Sequence, residues 1–175
     1  MGLVAENITP YQFRLDRGNY PLETIYEAAS LSGKRGEEIA EQQVQLLQSQ
    51  HKIIRYWAAI GLRSQSQDVL RSYKEQLISA MEDPYPPVVI TASAIAYDLF
   101  KDKTAEENLK KYCADGNKDL ALMAINYLLY VNDQKPFIET IKEVYYGEEI
   151  SYEVSAASKD FLGSLGFIPN NFEHR

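Results

Sequence analysis

The sequence predicts an all-α protein built as a right-handed α-solenoid of antiparallel helix hairpins, with about nine helices. Three observations carry this. In residues 53 to 62, Ile54, Trp57, Ala58, Gly61 and Leu62 follow the i, i+3, i+4, i+7, i+8 spacing of a buried helical stripe. The pattern then returns: the marker residues Leu62, Ala96, Leu128 and Leu162 stand 34, 32 and 34 residues apart, a period that signals helical repeats. Period-2 alternation, the mark of a half-buried strand, is nowhere sustained.

Residues 3 to 20 mix Val4, Ile8, Tyr11, Phe13, Leu15 and Tyr20 with Pro10, Gly18 and charges, and read as an irregular ribbon lying on an apolar surface. Pro21 suits a first helical turn, Leu22, Ile25, Tyr26 and Ala29 give an amphipathic face, and Gly33 closes that helix. Gly36 opens a helix carrying Ile39, Gln43, Leu46 and Leu47, and the glutamines around Gln42 to Gln50 read as its solvated face. After the stripe at 53 to 62, Leu70, Tyr73, Leu77 and Met81 define one helix that Asp83-Pro84-Tyr85-Pro86-Pro87 must end. Its partner carries Val88, Val89, Ala92, Ile95, Ala96 and Leu99. Thr104-Ala105-Glu106-Glu107 has the form of a capping box, with Leu109 and Tyr112 behind it and a turn at Asp115-Gly116-Asn117. Leu120, Ala124, Tyr127, Leu128 and Val131 continue the stripe until Asn132-Asp133 breaks it. Phe137, Ile141, Val144 and Tyr145 make a helix ended by Gly147, and Ile150, Val154, Ala157, Phe161 and Leu165 make the last, with Gly163 and Gly166 letting it fray. The organisation read from this is a ribbon over 1–20, a helical repeat domain over 21–166 and a tail over 167–175.

The 175 residues fit one domain, and 45% hydrophobic with 25% charged content is ordinary for a globular chain. Eighteen Lys and Arg against 25 Asp and Glu leave a net charge of −7, which argues against nucleic acid or anionic lipid as partner. No window has the apolar length of a membrane span. The start Met1-Gly2-Leu3-Val4-Ala5-Glu6 lacks a basic signal-peptide region and a hydroxyl residue for myristoylation, and reads as a short leader or as the edge of a piece of something longer. A single cysteine, Cys113, excludes a disulfide or thiolate metal site within one chain and is read as a buried thiol.

The helix–turn–helix pairs, with alanines in the second helix and the Asp83-Pro84 turn, resemble HEAT-type repeats over roughly residues 37 to 165. The family's turn aspartate and second-helix arginine do not occur together in any repeat here. A narrower resemblance rests on the segment from Tyr20 to Leu31, YPLETIYEAASL, followed by Ile54 to Leu62, IRYWAAIGL. The two are similar to the C-terminal helical extension of bacterial sulfatases of the N-sulfoglucosamine sulfohydrolase (heparan N-sulfatase) type. That resemblance implies a secreted or periplasmic parent protein acting on sulfated glycosaminoglycans. Its catalytic part would use calcium and a formylglycine made from Cys or Ser in a C/S-x-P-x-R motif. Cys113 is followed by Ala114-Asp115-Gly116 and no Ser-x-Pro-x-Arg occurs, so no sulfatase catalytic residue is assigned to this chain.

Catalytic, cofactor and metal residues are accordingly expected to be absent here. His51 and His174 are too distant in a solenoid to meet, the paired glutamates Glu37-Glu38, Glu106-Glu107 and Glu148-Glu149 read as solvated first turns, and no glycine-rich phosphate loop occurs. Of the thirteen tyrosines, Tyr26, Tyr73, Tyr112, Tyr127 and Tyr145 fall on apolar stripes and read as packing residues, as does Trp57. The candidate interface is Tyr11, Phe13, Arg14, Arg17 and Tyr20 on the ribbon, with Arg55 and Tyr56 beside the stripe. The expected partner is a sulfatase catalytic domain in cis, sulfated glycosaminoglycan being met only indirectly. The rival expectation is a free-standing HEAT-repeat adaptor, similar to phycobilin-lyase-type repeat proteins, that binds another protein.

Overall fold

A computed structural model describes residues 21–148 and 150–169. These fold into ten α-helices and one short 3₁₀ turn, with no strand among the described residues. The division into two compact units falls between Val69 and Leu70. The ribbon over 1–20 and the end of the tail lie outside the described residues.

The first unit contains α1 (Leu22–Leu31), α2 (Glu37–Leu46) and α3 (Lys52–Arg63), with α3 packed against both others. Gly36 precedes α2 at φ 125°, a conformation that costs an L side chain dearly and glycine nothing. Ile25 and Ala28 of α1 close on Ile54 of α3, with Leu46, Ile53 and a half-buried Trp57 around them. Trp57 thus sits on the expected seam, with part of its indole left in solvent. The face expected of α1 is shifted: Ile25 and Ala28 are buried, while Leu22 and Tyr26 are exposed.

The helix expected over 70–81 is two, α4 (Gln67–Arg71) and α5 (Lys74–Ala80). Leu70, Leu77 and Met81 are buried as their spacing requires. Arg71 and Ser72 are exposed, so no apolar contact holds a helical turn there, and Ser72 and Tyr73 are weak helix formers.

In the second unit α6 (Pro86–Phe100) begins on two prolines, whose missing amides cost nothing at a helix start, and Asp83 Oδ1 accepts the Tyr85 amide at 2.7 Å to set the turn. Every residue from Val88 to Tyr97 is buried, which makes α6 the central helix of this unit. It packs on α5, on α7 (Lys103–Cys113) and on α8 (Lys118–Leu128). Asp102, and not Thr104, caps α7: its carboxylate accepts the Ala105 amide at 2.9 Å, so the expected capping box lies two residues too late. Asn117 caps α8 through the Asp119 amide at 3.0 Å. After a 3₁₀ turn at Lys135–Phe137 come α9 (Ile138–Tyr145) and α10 (Tyr152–Ser164). Helix α8 packs on α7 and α10, and α9 on α7 and α10. Ser151 caps α10 at its start; at its end Gly166, at φ 77°, lets the Phe167 amide return to the Leu162 carbonyl at 3.0 Å. The glycine closes this helix where fraying was expected. The four marker residues Leu62, Ala96, Leu128 and Leu162 are all fully buried.

The end of α6 is also tied by polar contacts to residues 34 to 36 positions further along the chain. The Asp98 carboxylate accepts the Asn132 amide at 2.7 Å and its side-chain Nδ2 at 2.8 Å, and the Tyr97 hydroxyl donates to the Asp133 carbonyl at 2.8 Å. These links from the end of α6 to the turn after α8 use an aspartate–asparagine pair.

Candidate functional site

Of the residues that the sequence puts at an interface, Tyr11, Phe13, Arg14, Arg17 and Tyr20 lie outside the described residues. Arg55 and Tyr56 lie on α3. Arg55 Nη1 donates to the carbonyls of Ser49 at 2.8 Å and Gln50 at 3.1 Å, so the guanidinium is engaged in holding the α2–α3 turn. Tyr56 is half-buried with its ring tilted against Trp57, centroids 6.2 Å apart. The pairing gives Arg55 a structural task beside any role in docking.

A buried polar relay lies close by. The Gln43 Nε2 donates to the Leu31 carbonyl, and its Oε1 accepts from Gln65 Nε2, both at 2.9 Å. Gln65 also donates to the Lys34 carbonyl and accepts the Gly36 amide, again at 2.9 Å each. Gln65 thereby gives the Lys34 carbonyl and the Gly36 amide of the α1–α2 turn their partners, and Gln43 adds a second donor to the Leu31 carbonyl, which also accepts the Lys34 amide. Gln42, Gln45, Gln48 and Gln50 do face solvent; Gln43 alone of that run is buried. The signal for it was present in the sequence: Gln43 stands on the stripe with Ile39 and Leu46.

The second unit has a groove of about 590 Å³ at the edge where the α7–α8 and α9–α10 turns come together. It is lined by the end of α7 and its turn, with Cys113, Asp115 and Gly116, followed by Lys118 and Ala121 of α8. Thr140, Glu143 and Val144 of α9 also line it. Gly147, Ile150 and Ser151 of the following turn and Val154 of α10 complete it. Ala121, Val144, Ile150 and Val154 supply an apolar floor, and Asp115, Lys118 and Glu143 a charged rim. Asp115 Oδ1 accepts the Asn117 amide at 2.8 Å, which fixes its turn. Lys118 Nζ donates to Glu153 Oε1 at 3.1 Å. That hydrogen bond, followed by the charge of Glu153, raises the Lys118 pKa; the Glu153 pKa is lowered first by a hydrogen bond to its own backbone amide, then by Lys118. Exposed Tyr146 and Tyr152 flank the groove's turn, with solvent exposures of 70% and 85%, and Glu148 lies exposed between them. Glu148 stands in the turn, since α10 begins only at Tyr152.

Cys113 is buried, and burial pushes its thiol pKa far up, so it stays protonated and unreactive. Among the described residues no group of His, Cys, Asp and Glu is placed to hold a metal ion, and no helix is long and apolar enough to cross a membrane. The chain matches no protein-family model, no characterised protein and no solved structure.

The tyrosine expectation divides. Tyr112 is buried, Tyr73, Tyr127 and Tyr145 are half-buried, and the Tyr127 hydroxyl lies 3.3 Å from Thr91 Oγ1. Tyr26 is 73% exposed, against expectation, because α1 buries its Ile25–Ala28 side instead.

Proposed function

We propose that this chain is a non-catalytic helical accessory module that works by docking, and that it serves as the C-terminal extension of a secreted or periplasmic sulfatase acting on sulfated glycosaminoglycans. The observation that carries this reading is that the two resembling segments form one packed unit. Ile25 and Ala28 from the first close on Ile54 from the second, with Trp57 beside them. A likeness spread over two distant stretches is therefore a likeness of a single structural element.

The helices of the second unit fit HEAT-like repeats of a right-handed α-solenoid. Support comes from neighbour order, in which α6 meets α8 and α8 meets α10, while α7 packs on α6 and α8 and α9 packs on α7 and α10. In this reading the module docks on the catalytic domain in cis or frames its substrate, and calcium and formylglycine belong to that domain. The alternative, a free-standing adaptor that binds another protein, is favoured by one observation: the exposed tyrosines Tyr146 and Tyr152 lie in the second unit, outside the resembling segments.

The reading frame upstream of the Met1 codon tests the proposal. An in-frame sulfatase domain with its C/S-x-P-x-R motif is expected, and a stop codon directly upstream would leave the adaptor. The isolated chain is expected to turn over no fluorogenic sulfate with or without calcium; turnover that survives further purification would overturn the accessory reading.

A further inference from the structure

We infer that the groove between the α7–α8 and α9–α10 turns is the docking site for an extended basic peptide segment of a partner protein, one that alternates arginine or lysine with aliphatic residues. The inference deepens the docking reading above and rests on it.

The groove's chemistry selects the occupant. Its floor of Ala121, Val144, Ile150 and Val154 is apolar, which accepts aliphatic side chains. Its lining charges do not balance: Asp115 and Glu143 stand against the single ammonium of Lys118, and that ammonium is paired with Glu153 at 3.1 Å. Asp115 at the end of the α7 side and Glu143 of α9 both line the groove, and among the described residues neither is held in an ion pair. With Glu148 exposed in the next turn, the field over this edge is negative, and a net charge of −7 gives it no distant compensation. A sulfated sugar or a phosphate would meet repulsion here. A basic side chain would meet two carboxylates, its aliphatic stem lying along the apolar floor.

The form of the site separates a peptide from a small amine. The volume of about 590 Å³ would suit either, but Glu143, Gly147 and Lys118 are exposed at the mouth, so the concavity is open along its length. The exposed Tyr146 and Tyr152 are chain neighbours of the lining residues Gly147 and Ser151. Large, exposed tyrosines beside an apolar floor and a charged rim are the anatomy of a protein interface.

The test is a titration of the full chain with a fluorescein-labelled peptide of alternating arginine and leucine. The glutamate-for-arginine peptide and free arginine amide serve as comparisons, and amide hydrogen exchange gives the footprint. Binding of the basic peptide is expected, with protection confined to 113–121 and 140–154. Glu143→Gln and Asp115→Asn should each weaken it about tenfold at low salt, the effect shrinking as salt rises. Asparagine retains an acceptor for the Asn117 amide, so the turn survives that change. Glu75→Gln removes the same charge from α5 and should leave affinity within about twofold. Absence of binding, a footprint elsewhere, equal binding of the acidic peptide, or equal loss in Glu75→Gln would each overturn the assignment. Arginine amide binding as tightly as the peptide would overturn the peptide and make this a small-cation site. None of these outcomes bears on the upstream reading frame, so the docking module can stand while this groove falls.

Discussion

At the scale of single residues, Gly61 and Gln43 are one device. A Cβ on Gly61 would come within 2.4 Å of Gln43 Nε2 and 2.7 Å of its Cδ. Alanine in a helix is favoured over glycine by about 0.5–1 kcal/mol, but here it would push the buried Gln43 amide off its two hydrogen bonds, and a buried amide left unpaired costs about 1–3 kcal/mol. The second effect wins, and Gly61→Ala is expected to destabilise the protein by about 1–3 kcal/mol. Against a Gln43→Ala background the same change should be neutral or stabilising, by up to about 1 kcal/mol. Urea denaturation of the four proteins measures it, and a Gly61→Ala protein as stable as the parent would remove the argument. Tyr97 offers a second test. Burial, then the charges of Asp133, Glu106 and Asp98, push its hydroxyl from 10.0 up to about 12. The folded state therefore keeps a proton that the unfolded state gives up. This contribution is complete below pH 10 and is lost as the pH climbs through 12, and amounts to on the order of 2–3 kcal/mol. Tyr97→Phe should flatten the fall in stability between pH 10 and 12; an unchanged slope would assign that fall elsewhere.

Helix ends separate what local sequence can specify from what needs a neighbour. Asp102, Asn117 and Ser151 cap α7, α8 and α10 through their own side chains, chemistry within three residues of the acceptor. Only the register of α7 misleads, since Asp102 and Thr104 are both credible caps and the winner is the residue held in extended conformation, with φ −65° and ψ 129°. Gly166 closes α10 in the left-handed region, where an L side chain costs about 1–2 kcal/mol. Gly166→Ala should lower stability by about that amount, read from a chemical denaturation midpoint. A Gly166→Ala midpoint equal to the parent's would mean that the last turn was never closed this way.

For the molecule as a whole, the cores of the two units differ in kind. Unit one buries four alanines beside Ile25, Val44, Leu47, Ile54 and Leu62, while Phe137, Phe161, Leu77, Leu109, Ile125, Leu128 and Ile141 all lie fully buried in unit two. Apolar burial scales with side-chain area, so the larger core should open less often. Native-state hydrogen exchange is expected to show α1–α3 amides exchanging through openings of lower free energy than those of α6 and α8. Equal protection in both sets would deny the two units separate stabilities.

The sequence by itself determined that the chain is helical and where most helices lie, because the 3.6-residue period of buried side chains is a local property and the markers Leu62, Ala96, Leu128 and Leu162 all reached the core. It also held the proline stop at 84–87, while the one cap it suggested, at Thr104, belongs to Asp102. Tertiary structure decided which apolar residues stay out: Tyr26 and Ile25 are neighbours on one helix, and only the position of α3 chose Ile25 for burial. It decided the break at Ser72-Tyr73 and the burial of Gln43, whose partners at Leu31 and Gln65 are 12 and 22 residues away. The groove is the clearest case. Asp115 and Glu143 are ordinary solvated carboxylates in sequence, and come to line one site only because α8 and α9 fold back to bring two turns to the same edge.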